Sequence, residues 1–172
     1  MGDAPRLAAF AARLFRETYA PTHPARDIEA YVAEAFGPDV QRAELAAPGA
    51  LTLAVVPGDA PDALAAYAQL RMGEAPAAVG ASRAMEVARF YVDAPWHGAG
   101  LAPMLMRAAL AAAHARGAGV MWLGVWSENA RAIAFYRRMG FAVVGEQVFR
   151  FGSILDRDYV MARPVTPDDA SA

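Results

Sequence analysis

A glycine-rich segment, His97–Ala102, lies between a predicted strand and a predicted helix, and it constrains the possible folds more than any other feature. Its glycines lack a Cβ atom, so the backbone can turn sharply and a ligand can approach it closely. The first N–H groups of a helix have no partner inside that helix, and they attract an anion such as a pyrophosphate. The segment by itself also fits an ordinary turn, so its surroundings must decide.

A dinucleotide-binding fold is the main alternative for such a segment. Its G-x-G-x-x-G motif needs a small residue where this chain has Pro103, and an acidic residue about twenty positions further on. No acidic residue stands between Asp93 and Glu128. Pro103 instead suits the first turn of a helix, where a missing N–H group costs nothing. The sequence therefore argues against a dinucleotide fold.

Strands and helices alternate around the segment. Met85–Val92 predicts a strand before it, and Leu101–Arg116 predicts a helix that ends at glycines. Val120–Trp126 is apolar throughout, which is typical of a strand covered on both faces. Asn129–Met139 predicts a second helix, closed by Gly140. The centre of the chain is therefore predicted to be β-α-β-α.

Further helices and strands are predicted on both sides of this centre. Apolar residues at spacings of three and four predict two N-terminal helices, Pro5–Tyr19 and one that begins after Asp27 and ends at Gly37-Pro38. The other strands are predicted at Leu51–Val56, Leu64–Met72, Phe141–Val144 and Arg157–Ala162. We expect one domain over residues 1–163, followed by a flexible polar tail over residues 164–172.

Composition excludes several classes of function. A chain of 172 residues with 56% hydrophobic content matches one domain with a substantial core. Without cysteine there are no thiol nucleophiles or disulfides, and the histidines are too scattered to predict a metal site. A net charge of −2 makes nucleic acid an unexpected partner. With no apolar run of about 18 residues and no signal-peptide pattern, we expect a cytoplasmic protein without a membrane partner.

Two motifs resemble those of the GNAT N-acetyltransferases. Trp122–Trp126 leads into Ser127-Glu128-Asn129 and a helix that ends at Met139-Gly140-Phe141, which is similar to motif B of that family. His97–Ala102 resembles motif A, Q/R-x-x-G-x-G/A, with His97 in place of the usual Gln or Arg. The resemblance implies an α/β (α+β) fold with a mixed central sheet, a β-α-β-α acetyl-CoA-binding core and two N-terminal helices.

The start of the chain departs from the family pattern. GNAT chains usually open with a strand, whereas this chain enters its first predicted helix soon after Asp3. We therefore expect the first edge strand to be absent or to lie upstream. An edge that is left open exposes unpaired backbone groups, which could favour a homodimer.

The resemblance implies acetyl-CoA as the acetyl donor, with no metal. The backbone of the strand before the glycine segment would pair with the pantetheine amides like an added strand, and the Val92 N–H group would polarise the acetyl carbonyl. Asn129 would hydrogen-bond the pantetheine arm. The predicted cofactor-binding residues are Phe90, Tyr91, Val92, His97, Gly98, Ala99, Gly100, Leu101, Ala102 and Asn129.

Tyr136 is the predicted general acid. Asn129, Ile133 and Tyr136 are spaced by four and three, so they share one face of a helix. On spacing alone Tyr136 could equally be a core aromatic residue. The resemblance to motif B instead implies that its hydroxyl protonates the departing coenzyme A thiolate.

Glu86 is the predicted general base. An alkylammonium with a pKa of about 10 must lose a proton before its nitrogen can attack the acetyl group. On a regular strand the Glu86 side chain would share a face with Ala88, Phe90 and Val92, and the family often places a carboxylate there. Glu86 could also be an exposed salt-bridge partner, and some members of the family use ordered water.

Within the family, the chain is most similar to bacterial spermidine/spermine-type acetyltransferases, through residues such as Glu17-Thr18-Tyr19 and Asp158-Tyr159-Val160-Met161. This implies a small primary amine as acceptor, such as a polyamine, and direct attack in a ternary complex. Acetylation of protein N-termini or lysines, and non-catalytic sensing of acetyl-CoA, are the alternatives. The carboxylates expected to wall the acceptor site are Glu17, Asp27, Glu29 and Glu34.

Overall fold

The computed structural model describes residues 3–171. The helices are α1 (Asp3–Tyr19), α2 (Ala25–Ala35), α3 (Pro38–Ala46), α4 (Leu101–Ala115) and α5 (Ala130–Arg138). The strands are β1 (Ala50–Val55), β2 (Ala66–Gly73), β3 (Ala84–Val92), β4 (Val120–Trp126), β5 (Ala142–Phe151) and β6 (Ile154–Pro164). Short 3-10 helices lie at Ala77–Val79, Ala94–Trp96 and Pro167–Ser171.

One mixed sheet carries all six strands, in the order β1-β2-β3-β4-β6-β5. Every neighbouring pair is antiparallel except β3 and β4, which are parallel and connected through α4. The predicted β-α-β-α centre is confirmed as β3-α4-β4-α5. Helix α1 begins at the first described residue, Asp3, and β1 and β5 form the edges of the sheet.

The two faces of the sheet have separate cores. Leu105, Met106 and Leu110 of α4 pack with Met85 and Met121 of the sheet, and all five are buried. This core also receives Ile133, Tyr136 and Phe141. Full burial of a large apolar side chain contributes roughly 1.5–3 kcal/mol relative to its exposure, so the apolar stripe of α4 is a main anchor of the fold.

The opposite face of the sheet is covered by α1 and α2. Phe10 and Phe15 of α1 and Ile28 of α2 are buried with Tyr67 of β2 and Phe151 of β5. The core here is mostly aromatic. The centroids of the Phe15 and Tyr31 rings, for example, lie 4.7 Å apart.

Helix α3 was not predicted, because Gly37-Pro38 was interpreted only as the end of the second helix. Pro38 occupies the first turn of α3, where proline is tolerated. The helix has few apolar residues and is held by tertiary contacts: the Arg89 guanidinium on β3 donates to Glu44 at 2.7 Å and to the Ala35 carbonyl at 2.9 Å. There are therefore three N-terminal helices rather than two.

The C-terminal strands are longer than predicted, and the segment after them has defined contacts. β5 and β6 meet in a tight turn at Gly152, whose φ of 56° suits glycine. Residues beyond β6 were expected to form a flexible tail. Instead, Pro167–Ser171 forms a 3-10 helix in which Asp169 accepts hydrogen bonds from Arg163 at 3.0 Å and from the Thr166 N–H group at 2.8 Å.

Candidate active site

Strands β3 and β4 separate along their length and leave a cleft. In the described part of the chain they pair only from Ala84–Glu86 to Val120–Trp122, although β3 continues to Val92 and β4 to Trp126. Beyond that point, backbone N–H and carbonyl groups on the facing sides of β3 and β4 are not paired with each other. An inserted ligand with amide groups could restore those hydrogen bonds, as an added strand does.

The alternation of an antiparallel ladder shows which backbone groups of β3 face this cleft. The Asp93 N–H group donates to the Ala65 carbonyl of the chain preceding β2, at 2.9 Å. Residues two apart point the same way, so the backbone of Tyr91 also faces β2. Phe90 and Val92 face the cleft. The predicted backbone contact of Tyr91 with the cofactor is therefore wrong, and its side chain stacks on Tyr67 on the α1 side.

The backbone of β4 forms the opposite wall of the cleft. The Ser127 N–H group donates to the Arg157 carbonyl at 2.9 Å, which places the backbone of Val125 toward β6. Gly124 and Trp126 therefore face the cleft, and the Trp126 carbonyl accepts from the Asn129 N–H group at 2.9 Å. The sequence analysis missed these two backbone positions, because pairing partners along β4 are not visible in an apolar run.

The predicted anion cradle lies at the start of α4. Gly98 and Gly100 both have a φ of 81°, a left-handed conformation in which a side chain would be strained. The N–H groups of His97 and Ala99 are used inside the loop, by the carbonyls of Ala94 and Trp96. Within residues 97–102 of the described chain, the backbone N–H groups of Gly98, Gly100, Leu101 and Ala102 have no acceptor.

The side chain of His97 connects the cradle to both neighbouring elements. Its Nε2 atom lies 2.8 Å from the Val92 carbonyl, and its Nδ1 atom lies 3.0 Å from Nη1 of Arg131 on α5. These contacts fit the tautomer that donates from Nε2 and accepts at Nδ1. With both ring nitrogens engaged, His97 positions the loop, and Arg131, which the sequence analysis did not single out, brings a positive charge beside the cradle.

Asn129 and Tyr136 lie at opposite ends of α5. The Asn129 side chain caps the helix, since its Oδ1 atom accepts from the Ala132 N–H group at 3.1 Å. Tyr136 is buried, and its ring lies edge-on to that of Phe90 at 6.3 Å between centroids. Burial raises the pKa of the Tyr136 hydroxyl, which keeps the phenol protonated.

Glu86 does not face the way the sequence predicts. Gln69 pairs with Arg89 and Leu70 pairs with Val87, so Ala88 is an extra residue that forms a β-bulge. A bulge reverses the alternation of side chains beyond it. The expectation that Glu86 shares a face with Phe90 and Val92 is therefore wrong.

The carboxylate of Glu86 is bound on the α1 side of the sheet. Its oxygens accept from Arg71 on β2, with Oε2 at 2.5 Å from Nε and Oε1 at 3.2 Å from Nη2. Glu86 pairs with Trp122 at the last position before β3 and β4 separate. It therefore lies at the closed end of the cleft.

The carboxylates predicted to wall the acceptor site are mostly engaged elsewhere. Glu17 pairs with Arg13 at 3.0 Å, and Glu29 pairs with Arg16 at 2.6 Å. Asp27 accepts from the N–H and hydroxyl groups of Ser153, which lowers the pKa of its carboxyl group. Glu34 is exposed on α2. Acidic residues of α1 and α2 thus largely stabilise the helices and the β5–β6 turn.

Two carboxylates of β6, those of Asp156 and Asp158, lie on the α1 side of the sheet. Asp156 binds His23 at 3.0 Å, and the His23 ring lies 5.1 Å from the Trp126 ring between centroids. Asp158 is buried beside Gly124. Burial raises the pKa of the Asp158 carboxyl group to about 6, and the nearby charge of Asp156 contributes a smaller part of the shift. Their spacing of two residues was the available sequence signal, because residues two apart share one face of a strand.

No group of three or more histidine, cysteine, aspartate or glutamate side chains within residues 3–171 could hold a metal ion. None of the described helices is long and apolar enough to span a membrane.

Comparison with known proteins identifies the family. The model of the acetyltransferase (GNAT) family matches residues 11–141, which include the cleft, the cradle and α5. The chain belongs to the GNAT acetyltransferase family. It is 34% identical to an uncharacterised N-acetyltransferase of Mycobacterium tuberculosis over 171 residues, which cover 95% of this chain and 98% of that protein. A GNAT fold and acetyltransferase activity follow.

Two other similar proteins carry the name of the compound that they acetylate. Streptothricin acetyltransferase of Streptomyces lavendulae is 55% identical over 53 residues, which cover 30% of this chain and 28% of that enzyme. The structure of nourseothricin acetyltransferase aligns with a TM-score of 0.60 and 29% identity, and the alignment covers 69% of this chain and 67% of that one.

A solved GNAT structure with its cofactor shares the fold over nearly the full length. PaiA N-acetyltransferase of Thermoplasma acidophilum, in complex with coenzyme A, aligns with a TM-score of 0.68 and 18% identity over 94% of this chain and 92% of that one. At this identity the match shows the shared fold.

Proposed function

We propose that this GNAT enzyme transfers the acetyl group of acetyl-CoA to a primary amine of a small cationic molecule, by direct attack in a ternary complex. The observation that carries the proposal is the divergence of β3 from β4 directly beside the unpartnered N–H groups at the start of α4. One ligand that has a pyrophosphate at one end and amide groups along an extended arm matches both features.

The cofactor has a defined place in this proposal. Its pyrophosphate binds the N–H groups of Gly98, Gly100, Leu101 and Ala102, where the helix start supplies about half a positive charge. The pantetheine arm lies between β3 and β4 and pairs with the backbone of Phe90, Val92 and Gly124. The amide nitrogen of Asn129, whose oxygen caps α5, can donate to the same arm.

Catalysis requires an oxyanion donor and an acid at the thioester end of the cofactor. The Val92 N–H group faces the cleft and is placed to donate to the acetyl carbonyl oxygen as negative charge develops. Its own carbonyl is held by His97, which fixes the peptide. Tyr136, kept protonated by burial, supplies the proton to the departing thiolate.

The sequence predicts Glu86 as the base that deprotonates the acceptor. The bidentate contact with Arg71 gives each oxygen of the Glu86 carboxylate a hydrogen-bond donor within the protein. Its place in the paired part of β3 and β4 favours a role in closing the inner end of the cleft. The role of Glu86 in proton transfer is therefore left to direct test.

A small cationic acceptor suits the face opposite α4. The rings of Tyr19 and Trp126 lie 5.6 Å apart between centroids, close to the carboxylates of Asp156 and Asp158. Aromatic faces and carboxylates together favour an ammonium group. Streptothricin-type antibiotics are one candidate, through the relatives named above, and polyamines are the other, through the sequence resemblance.

An extended peptide is less well accommodated. Asp27 on α2 binds Ser153 in the β5–β6 turn at 2.7 Å and 2.9 Å, so the helix and the turn are tied together over this face. A peptide groove between those two elements would have to break the contact. This observation favours a small molecule over a protein N-terminus or a lysine side chain.

The test is release of free thiol from acetyl-CoA in the presence of single acceptors. The set contains spermidine, spermine, a streptothricin, an aminoglycoside, free amino acids and peptides with a free N-terminus or a lysine. Acceleration by a small cationic amine, with acetylation of that amine confirmed by mass spectrometry, supports the proposal. Acceleration by peptides alone overturns the choice of acceptor. Binding of acetyl-CoA without turnover on any amine supports a sensing role instead.

A further inference from the structure

We propose that Asp158 holds the acceptor ammonium group and takes its proton, so that this residue of β6 is the general base of the reaction. The inference rests on the proposed function, since it assigns a base to that same transfer. The role of base was assigned to Glu86 from the sequence, and the structure offers Asp158 as a carboxylate in a better position.

Asp158 is buried without a hydrogen-bond partner on one of its oxygens. The residue is only 7% exposed, and its Oδ1 atom has no partner among the described residues. A buried, unpartnered carboxylate oxygen is costly to the folded protein, by an amount that a bound cation would offset. Such an arrangement in an enzyme is a marker of a ligand contact.

The location of Asp158 connects it to the cleft. Its Oδ2 atom lies 3.4 Å from the position of a Cβ atom built on Gly124, and the Gly124 backbone faces the gap between β3 and β4. The Nε2 atom of Gln147 on β5 lies 2.6 Å from the same position, so the Gln147 amide occupies the space over Gly124 beside the carboxylate. An amine bound to Asp158 would displace that amide and would then stand beside the wall along which the pantetheine arm is proposed to run.

The groups around Asp158 leave it the main proton acceptor on this face. Asp156 on the same strand binds His23. The hydroxyls of Tyr19 on α1 and Tyr31 on α2 also face this region. Burial is the main reason that their pKa values are raised, and the charge of Asp158 adds to the effect. The neighbouring strands contribute no ionisable side chain beside it. Their residues here are Trp122, Gly124 and Trp126 of β4 and Gln147 of β5.

Burial also makes Asp158 a stronger base than an ordinary aspartate. Its pKa is raised to about 6, so that the carboxylate is ionised at neutral pH but accepts a proton more readily than a solvent-exposed one. The Glu86 carboxylate, by contrast, has Arg71 as a hydrogen-bond partner on both of its oxygens.

The ammonium group gives one proton to the Asp158 carboxylate, and the nitrogen lone pair forms a bond to the acetyl carbonyl carbon. The carbon–sulfur bond then breaks, and the thiolate takes the proton of the Tyr136 hydroxyl. The nitrogen loses its second proton, which restores Tyr136 through solvent, and Asp158 releases its proton to water. The products are the acetylated amine, coenzyme A and one proton.

The deciding experiment is the pH dependence of kcat/KM for the best amine, with wild type, Asp158→Asn and Asp158→Glu. The matched control is Glu146→Gln, which removes an exposed carboxylate from the other face of β5. We expect wild type and the control to gain activity through a limb near pH 6. Asp158→Asn should lose that limb and roughly 100-fold or more in kcat/KM, with Asp158→Glu recovering part of both.

A measurement of folding separates a lost base from a lost structure. Because the pKa of Asp158 is raised in the folded state, the unfolded state releases its proton first, and the ionised carboxylate lowers stability as pH rises from about 4 to 6. Asp158→Asn removes that penalty, so it should unfold at the same temperature as wild type or higher at pH 7.5, and its KM for acetyl-CoA should stay within about twofold.

Each outcome has one meaning. If wild type acetylates no amine, the proposed function fails. If wild type is active but its profile lacks the limb near pH 6, or Asp158→Asn keeps that limb and its activity, the proposed function stands and the role of Asp158 is overturned. If Asp158→Asn does not fold, the pH profile of Asp158→Glu compared with that of wild type decides the matter, and an unchanged limb and rate would overturn the role of Asp158.

Discussion

The guanidinium group of Arg71 binds both carboxylate oxygens of Glu86, through Nε at 2.5 Å and Nη2 at 3.2 Å. The two residues lie opposite each other on β2 and β3, and Glu86 also pairs with Trp122 of β4. This cross-strand pair therefore lies at the point where the paired part of β3 and β4 ends and the cleft begins. Whether Glu86 acts as a base or as a support for the cleft can be measured.

Glu86→Gln should retain more than about a tenth of wild-type kcat/KM with an unchanged pH profile, because a supporting residue carries no proton. The pair is partly exposed, so the loss of stability should be about 1 kcal/mol or less. Steady-state kinetics and thermal unfolding check both values, with Arg71→Gln as the matched partner variant. A roughly 100-fold loss of kcat at unchanged stability would make Glu86 the base.

Tyr136→Phe should lower kcat by about 100-fold or more while leaving the affinity for acetyl-CoA nearly unchanged, because only the proton donor is removed. Isothermal titration with coenzyme A and single-turnover kinetics separate the two effects. Tyr159→Phe, which removes a hydroxyl from a residue packed against the same core, is the control and should behave like wild type. Unchanged turnover in Tyr136→Phe would remove this residue from the mechanism.

Gly100→Ala should weaken binding of coenzyme A by about tenfold or more. At a φ of 81° a side chain is strained by roughly 1–2 kcal/mol, and relief of that strain would turn the N–H groups of the cradle away from the pyrophosphate. Gly80→Ala places the same strain in a loop outside the cleft, at a φ of 64°, and controls for lost stability. Equal coenzyme A affinity in both variants would exclude the cradle as the phosphate site.

His97 and Arg131 should be coupled in cofactor binding. We expect His97→Ala and Arg131→Ala each to raise the Kd for coenzyme A, and the double variant to lose less than the sum of the two. Residues in direct contact have coupling energies of about 0.5–3 kcal/mol, and this pair is joined at 3.0 Å. Titrations of the four proteins at one salt concentration complete the cycle. Strict additivity would show that His97 and Arg131 act independently.

The central elements could be predicted closely from the sequence. Val120–Trp126 is the strand that its apolar run predicts, and the helix after it begins at Asn129 as cap and ends before Gly140. These elements have strong local signals, since both caps and buried strands depend on side chains close in sequence. The cradle residues Gly98 and Gly100 have positive φ values for the same local reason.

Helix α3 and the bulge at Ala88 could not be predicted in this way. Helix α3 has few apolar residues and depends on Arg89, which lies 45 positions from Glu44 in the chain. The bulge is defined by the register between β2 and β3, and no local pattern in β3 marks the extra residue. One unpaired residue was enough to reverse the expected orientation of Glu86.

The sequence by itself determined the family and the β-α-β-α centre, because glycines, helix caps and buried strands are encoded by neighbouring residues. Only the tertiary structure decided which carboxylates lie on the proposed acceptor side. Asp158 and Gly124 are 34 positions apart, and they meet because β4 and β6 pair in one register. The chemistry of the acceptor side therefore depends on strand pairing, which brings together residues that the sequence keeps apart.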